Sequence, residues 1–373
     1  HFTDRRQRQM CIRDRPTAAP VIPEEIEAPK IPGEKKAPRI PVIAAIAPIF
    51  MGAVMYLVTQ RAQTLIFIAL SPIMLLGNAV ESRISNRKSN KEAHAKFAEE
   101  FAAFTTDSRA RLDAEVRHRR AEHPDLASLT AALHARTPTL WSRRPDAEHY
   151  AELCIGRGRQ PARHTFTSSP GEEAAPNLLE ELNELLETLT HLDEVPVVVD
   201  LATEGSVGVA GPEVLARSVA ASMVASAAVL HSPAELTIAL LSSEQAGSEW
   251  SWMRWLPHVD GRYAPFDHPV ADTPGGCMSL QAALSQLLDA RAAQLQQSSR
   301  ARHLPTVLVV IENDAPVERS LLVDLLERGP AVGIHPLWVA PAVDRLPAGC
   351  GAVVDTSNGS SQMSVRVRRT KET

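Results

Sequence analysis

Two apolar stretches, Ile40–Val58 and Leu65–Val80, stand back to back along the chain. Six residues separate them, and Arg61 is the only charge in that gap. The first stretch has 19 uncharged residues; the second has 16, or 19 if positions 62–64 are counted. A bilayer core takes roughly 20 residues of helix to cross, so the pair predicts a transmembrane hairpin over 40–80. Lys30, Lys35, Lys36 and Arg39 precede it, and Arg83, Arg87, Lys88 and Lys91 follow it. Lys and Arg close to the membrane ends mark the cytoplasmic side. Both termini are therefore expected in the cytoplasm, with the chain crossing the membrane twice. Pro48 and Pro72 favour the alternative of a buried helical hairpin in a soluble protein, although membrane helices tolerate proline.

Beyond the hairpin, Glu81–Arg120 reads as one long charged helix with ten Lys/Arg and seven Asp/Glu. Phe97, Phe101 and Phe104 fall at i, i+4 and i+7 and share a face. That face is either part of a solvated stalk or a surface for self-association or a partner. Pro124 interrupts the pattern, and Leu126–Ala135 predicts a short helix. Tyr150–Arg159 predicts a strand running into a glycine turn, and Thr165–Ala175 a polar loop. The leucines at 178, 179, 182, 185, 186 and 189 predict an amphipathic helix.

From Val195 onward, apolar strands alternate with helical segments. Strands are expected at Val195–Val199, Ser206–Ala210, Leu236–Leu241, Thr306–Ile311, Gly333–Val339, Gly351–Val354 and Met363–Val367. Helices are expected at Glu213–Leu230, Leu280–Gln297 and Pro316–Arg328. This alternation argues for an α/β layer with a mostly parallel sheet. The expected domains are a disordered tail (1–39), the hairpin (40–80), a helical stalk (81–138), a transition segment (139–194), the α/β domain (195–367) and a truncated linker (368–373).

Composition narrows the function classes. A net charge of −5 over 373 residues carries no nucleic-acid signature. Cys11, Cys154, Cys277 and Cys350 form no C-x-x-C pair, which suits a reducing compartment. No cleavable signal peptide is expected ahead of the first apolar run. The run from Gln9 to Arg15 resembles a translated sequencing adapter, so 1–15 is set aside. The end at Lys371–Thr373 suggests a fragment.

The candidate chemistry lies where a strand turns into a helix, because a helix N-terminus offers unpaired N–H groups to phosphate. Laid against G-x-x-x-x-G-K-[ST], Gly211 and Ser218 match. Ala216 replaces the second glycine and Arg217 the lysine. Pro212 removes a donor, and Glu213 adds a repelling charge. Glu312 and Asp314 end an apolar strand in the manner of a Walker B acid, which would sit beside Mg²⁺ or an attacking water. The simpler reading is a βα turn followed by a capping acid, with no hydrolysis. Trp250, Trp252 and Trp255 form either an interaction hot spot or domain packing. The 13 histidines show no metal-ligand spacing, and no G-x-S-x-G elbow occurs.

The order of the hairpin, the basic stalk, Leu140-Trp-Ser-Arg-Arg-Pro145 and Gly156-Arg-Gly resembles the membrane-anchored FtsK/SpoIIIE-type ATPases of type VII (ESX) secretion, the EccC family. Gly208-Val-Ala-Gly-Pro212, His231-Ser-Pro-Ala-Glu-Leu236 and Trp252-Met-Arg-Trp-Leu-Pro-His258 extend the resemblance from about Pro16 to the C-terminus. It implies a secretion-motor subunit in which 195–367 is a divergent P-loop-like module nearest the membrane. It also implies ATP and Mg²⁺ as family cofactors, hexameric assembly, membrane partners within the secretion complex, and exported substrates bound by distal modules absent from this chain. Ala216 and Arg217 depart from the family's typical Walker A. Two other readings compete: a non-catalytic membrane adaptor, and a fragment of an FtsK-like DNA translocase, which would need a basic DNA-contacting surface.

Overall fold

The computed structural model describes residues 21–33, 50, 64–171, 174–297, 305–359 and 363–367. Of the first apolar stretch only Phe50 is among them, so the expected hairpin lies largely outside the described residues, as do 1–15 and 368–373. By internal contacts the chain forms two units, one from 117–158 with 193–367, the other from 21–116 with 159–192.

In the second unit, strand β1 (Glu25–Glu27) precedes helix α1 (Thr64–Glu122). The second apolar stretch and the expected stalk are thus one continuous helix, of 59 residues. Helix α2 (Leu126–Ala135) and most of strand β2 (Glu152–Pro161) fall in the first unit, and strand β3 (Thr165–Thr167) and helix α3 (Pro176–Leu189) in the second. β1 pairs in parallel with β3. This revises two expectations locally: Glu25–Glu27 is strand within the tail expected to be disordered, and Thr165–Thr167 is strand at the start of the expected loop. Ala28 and Ile31 anchor the tail because they are buried with Phe97, Ala175 and Leu182.

The phenylalanine face points into the same cluster. Phe97 is buried and stacks on Phe101 at 5.6 Å, while Phe104 meets Phe166 edge-on at 6.3 Å. Neither a solvated stalk nor an open partner surface describes Phe97, because its own chain already covers it.

β2 pairs with strand β4 (His191–Asp200) in a two-stranded sheet of its own. The expected turn at Gly156–Gly158 is instead extended strand. Glycine at 158 reflects close approach, since a Cβ there would stand 3.1 Å from Val197 Cγ2. The segment Val195–Val199 accordingly lies outside the main sheet.

That sheet has seven strands: β5 (Val207–Ala210), β6 (Leu236–Leu241), β7 (Val270–Ala271), β8 (Thr306–Glu312), β9 (Ile334–Ala340), β10 (Ala352–Asp355) and β11 (Ser364–Val367). Their spatial order is β11-β10-β5-β9-β8-β6-β7, all parallel except β11, which runs antiparallel to β10. Every residue of β6, β8 and β9 is buried, as expected when helices cover both faces.

The two faces separate by strict alternation. Leu308 and Val310 join one core with Ala216, Ala220, Met223 and Val224 of helix α4 (Glu213–Leu230). Val307, Val309 and Ile311 join the other with Leu280, Leu284 and Leu288 of helix α5 (Pro274–Gln297) and Leu321 and Leu325 of helix α6 (Arg319–Glu327). Among the described residues, α4 is the helix long and apolar enough to cross a membrane, and half of it is buried against the sheet. Its apolar character serves the core. The first unit is a mixed α/β layer with a mostly parallel sheet, as the alternation of elements predicted.

Candidate functional site

Leaving aside the two-residue β7, the parallel strands counted along the chain from β5 stand in the order fifth, first, fourth, third, second. The turn after the first strand and the end of the third are therefore one strand apart, at the carboxyl ends where ligands of α/β sheets gather. A cavity of about 190 Å³ opens there. It is lined by Glu213 and Arg217 from α4, Glu312, Asn313 and Asp314 from the end of β8, and Val339, Ala340 and Pro341 from the end of β9.

Arg217 lies at the centre of this arrangement. Its Nε donates to Glu312 Oε1 at 2.8 Å and its Nη2 to Glu213 Oε1 at 2.7 Å. The same Glu312 oxygen accepts from Trp250 Nε1 at 2.6 Å. The Glu312 side chain is only 4% exposed and that of Arg217 13%. Burial by itself disfavours the guanidinium charge, but the hydrogen bonds and charges of Glu312 and Glu213 outweigh it and raise the Arg217 pKa further. A buried acid with two donors on one oxygen and a full counter-charge is a closed network.

The turn itself has no phosphate cradle. Gly211 and Pro212 complete it, and α4 begins at Glu213. The N–H groups of Leu215 and Ala216 both donate to Pro212 O at 2.9 Å, so helix formation has already used them. A P-loop needs those donors free and wrapped around phosphate. Gly211 holds φ at +138°, and a Cβ there would collide with Thr356 Oγ1. Its glycine thus serves packing against the turn after β10. Ser218 is exposed, and its hydroxyl donates back to Val214 O at 2.6 Å. Asp314 lines the cavity and accepts from Ser243 Oγ at 2.7 Å.

Of the five residues singled out for a nucleotide, the structure gathers Arg217, Glu312 and Asp314 at the cavity and leaves Gly211 and Ser218 out of its lining. Three carboxylates face one guanidinium there, and a triphosphate would add further negative charge. ATP and Mg²⁺ do not fit the residues present: among the described residues no lysine lines the cavity, the N–H groups of Gly211, Leu215 and Ala216 are taken, and the Walker B-like acid is already neutralised.

The tryptophans separate. Trp250 is fully buried, Trp252 packs 6.2 Å from it, and Trp255 is 89% exposed. Packing is thus the role of the first two, and only Trp255 presents an open surface. The hydrogen bond from Trp250 to Glu312 had no signal in the sequence beyond the tryptophan's presence.

A second polar cluster was also invisible to spacing. His123, His149 and Glu152 bring three potential ligand atoms within 4.8 Å of one another. His123 Nε2 is 2.9 Å from Glu152 Oε2, and His149 Nδ1 is 3.1 Å from the same oxygen. Arg143, however, reaches His123 Nδ1 at 2.7 Å and donates to the carbonyls of Glu152 (2.7 Å) and Glu122 (3.0 Å). A guanidinium only donates, so Nδ1 accepts and Nε2 carries the proton given to Glu152. A metal at Nε2 would displace that proton and turn Nδ1–H toward a cation. The cluster is wired as a hydrogen-bond network joining the end of α1 to β2. Burial, ahead of the charge of Arg143, lowers the His123 pKa and favours its neutral form.

No family model matches the chain. Among curated proteins it is 29% identical over 175 residues to the ESX-4 secretion system protein EccC4 of Mycobacterium tuberculosis, covering 46% of this chain and 13% of that protein. It is 33% identical over 152 residues to the ESX-1 secretion system protein EccCa1 of the same species, covering 37% and 20%. Over these segments the chain is similar to EccC proteins of ESX secretion systems. With the ESX secretion system protein YukB of Bacillus subtilis it shares 20% identity over 304 residues, 76% of this chain and 20% of YukB. It thus spans a fifth or less of the length of these three relatives. The cytoplasmic domain of the type VII secretion ATPase EccC from Thermomonospora curvata superposes with a TM-score of 0.39 at 16% identity, over 57% of this chain and 24% of that one. That structural likeness is too slight to define the fold.

Proposed function

We propose that this EccC relative supplies the membrane anchor, stalk and non-hydrolysing coupling domain of a type VII secretion motor subunit. One observation carries the coupling role. Arg217, at the position of the Walker lysine, is clamped between Glu213 and Glu312, after a turn in which the N–H groups of Gly211, Leu215 and Ala216 are already bonded. A domain with P-loop-like connectivity and a closed charge network can transmit force through a stiff sheet without turning over nucleotide. The strand order supports that connectivity, since it brings the loop-bearing helix and the acid-bearing strand to one cavity.

The anchor would be the hairpin at 40–80, and the stalk would run over 81–138, through the rest of α1 and α2. The transition segment would cover 139–194, the coupling domain 195–367, and 368–373 a linker. Both termini would be cytoplasmic, and the other membrane components of a secretion complex would be the partners, with a hexamer as the assembly. The same closed network favours a non-catalytic role over DNA translocation.

The test uses the full chain purified in detergent. Millimolar Mg·ATP should leave its thermal midpoint unchanged and release no phosphate. A saturable rise of several degrees would refute the closed-site reading. Resistance of the chain to carbonate extraction from membranes is expected, and release into the supernatant would refute the anchor.

A further inference from the structure

The start of α1 carries a surface that the coupling role does not use. Directly after the apolar run ending at Val80 come Arg83, Arg87, Lys88 and Lys91, all exposed. Among the described residues, the ion pair nearest the start of this helix is Lys96–Glu100 at 3.5 Å, so none of the four is paired. On a helix of 3.6 residues per turn, the four cations fall within an arc of about 140° that also holds Val80 and Ile84. Those two are 54% and 65% exposed. Glu81 and Glu92 border one edge of the arc, next to Lys88. Ser82, Ser85, Asn86, Ser89 and Asn90 occupy the rest of the circumference.

One face therefore combines exposed aliphatic side chains with unpaired cations, and it does so on a helix that continues unbroken from the apolar run. From Val80 to Lys91 the helix rises about 16 Å. The headgroup layer of a bilayer is about 5–7 Å deep on each side. Side chains on a helix lean toward its N-terminus, which here is the membrane side. The guanidiniums of Arg83 and Arg87 can thus reach back into the phosphate layer while Val80 and Ile84 meet the acyl boundary. Lys88 and Lys91 stand higher, within about one Debye length of the surface.

We infer that this face binds the headgroups of anionic phospholipids and fixes the height and rotation of α1 at the cytoplasmic leaflet. The inference rests on the membrane reading above. A basic face disfavours a second copy of itself, because like charges would meet. Each cation near an anionic surface contributes about fivefold in association, so four of them give selectivity well above tenfold at low salt.

The experiment reconstitutes the full chain in phosphatidylcholine vesicles containing a trace of spin-labelled phosphatidylglycerol or spin-labelled phosphatidylcholine. The motionally restricted fraction of each label is read by electron paramagnetic resonance. The expected result is preferential restriction of phosphatidylglycerol, weakened at 0.5 M salt and lost in the Arg83→Gln/Arg87→Gln/Lys88→Gln/Lys91→Gln variant. Equal restriction of both lipids would overturn the lipid site while leaving the anchor standing. Absence of any restricted component, together with carbonate release, would overturn anchor and site together. Equal restriction combined with a concentration-dependent self-association that the variant loses would assign the face to a second copy and overturn the inference.

Discussion

Removing the Arg217 guanidinium measures how far the α/β unit depends on its own clamp. In Arg217→Met the stem is kept and the charge lost. Glu312, 4% exposed, then keeps Trp250 as donor but no counter-cation. Breaking a buried pair from one side costs about 3–5 kcal/mol, because the remaining charge stays desolvated. Glu312→Gln is milder: the amide oxygen still accepts from Trp250, and Arg217 keeps Glu213. A lost charge-assisted hydrogen bond of this kind costs about 1–2 kcal/mol. Because no buried carboxylate remains to be orphaned, the exposed Glu213 being solvated, the double variant should cost little more than Glu312→Gln alone, a coupling of about 3–4 kcal/mol. At about 2–4 °C per kcal/mol for a unit of this size, Arg217→Met should lower the midpoint by about 10 °C and the other two by a few degrees. The assay is thermal unfolding of the full chain in detergent followed by tryptophan fluorescence, in which the fully buried Trp250 is a reporter. A midpoint for Arg217→Met within 3 °C of the parent, or strictly additive shifts in the double variant, would show that the pair is not a clamp.

Three further outcomes follow from other sites. Gly211→Ala should cost about 3–5 kcal/mol, since it combines left-handed strain with a collision at Thr356; a midpoint near the parent's would contradict that packing. His231 is buried, with Nδ1–H donating to Ala227 O at 2.8 Å. Burial first, then the charge of Arg143, brings its pKa down to about 3. The unfolded chain takes up that proton near pH 6.5 and the folded chain does not, so stability falls as pH drops through this window. The loss is about 2 kcal/mol between pH 7 and 5, and a flat stability profile over that range would contradict it. Phe97→Ala should cost about 3–5 kcal/mol and speed amide exchange at β1 and β3; unchanged exchange there would show that the tail is held by something other than Ala28, Ile31 and their neighbours.

How much was legible in the sequence depended on the range of the interactions. Helices Leu126–Ala135 and Glu213–Leu230 and strand Leu236–Leu241 emerged with the bounds expected, because local periodicity encodes them directly. The covered sheet was readable too, since continuous runs such as Thr306–Ile311 leave no polar face for water. Failures came where pairing partners are remote. β1 and β3 are three residues each, too short to show a period, and their register exists only between distant segments. The same holds for the separate β2–β4 sheet, whose glycines imitate a turn until Val197 is seen against Gly158.

The candidate site divides along the same line. Sequence alone identified a degenerate loop, because a missing lysine and an added proline are visible in the string itself. It also marked Glu312 as the acid at the end of a buried strand. Only the tertiary structure decided what those residues do. Bringing Arg217, Glu312 and Trp250 together spans up to 95 positions in sequence, and the strand order sets that meeting. Whether a charge near a vacant-looking loop awaits a ligand or is already neutralised depends on distance and burial, and neither is written in one dimension. The apolar runs and their basic flanks, by contrast, were sequence information from the start, because hydrophobic length and charge act on a membrane without any fold to arrange them.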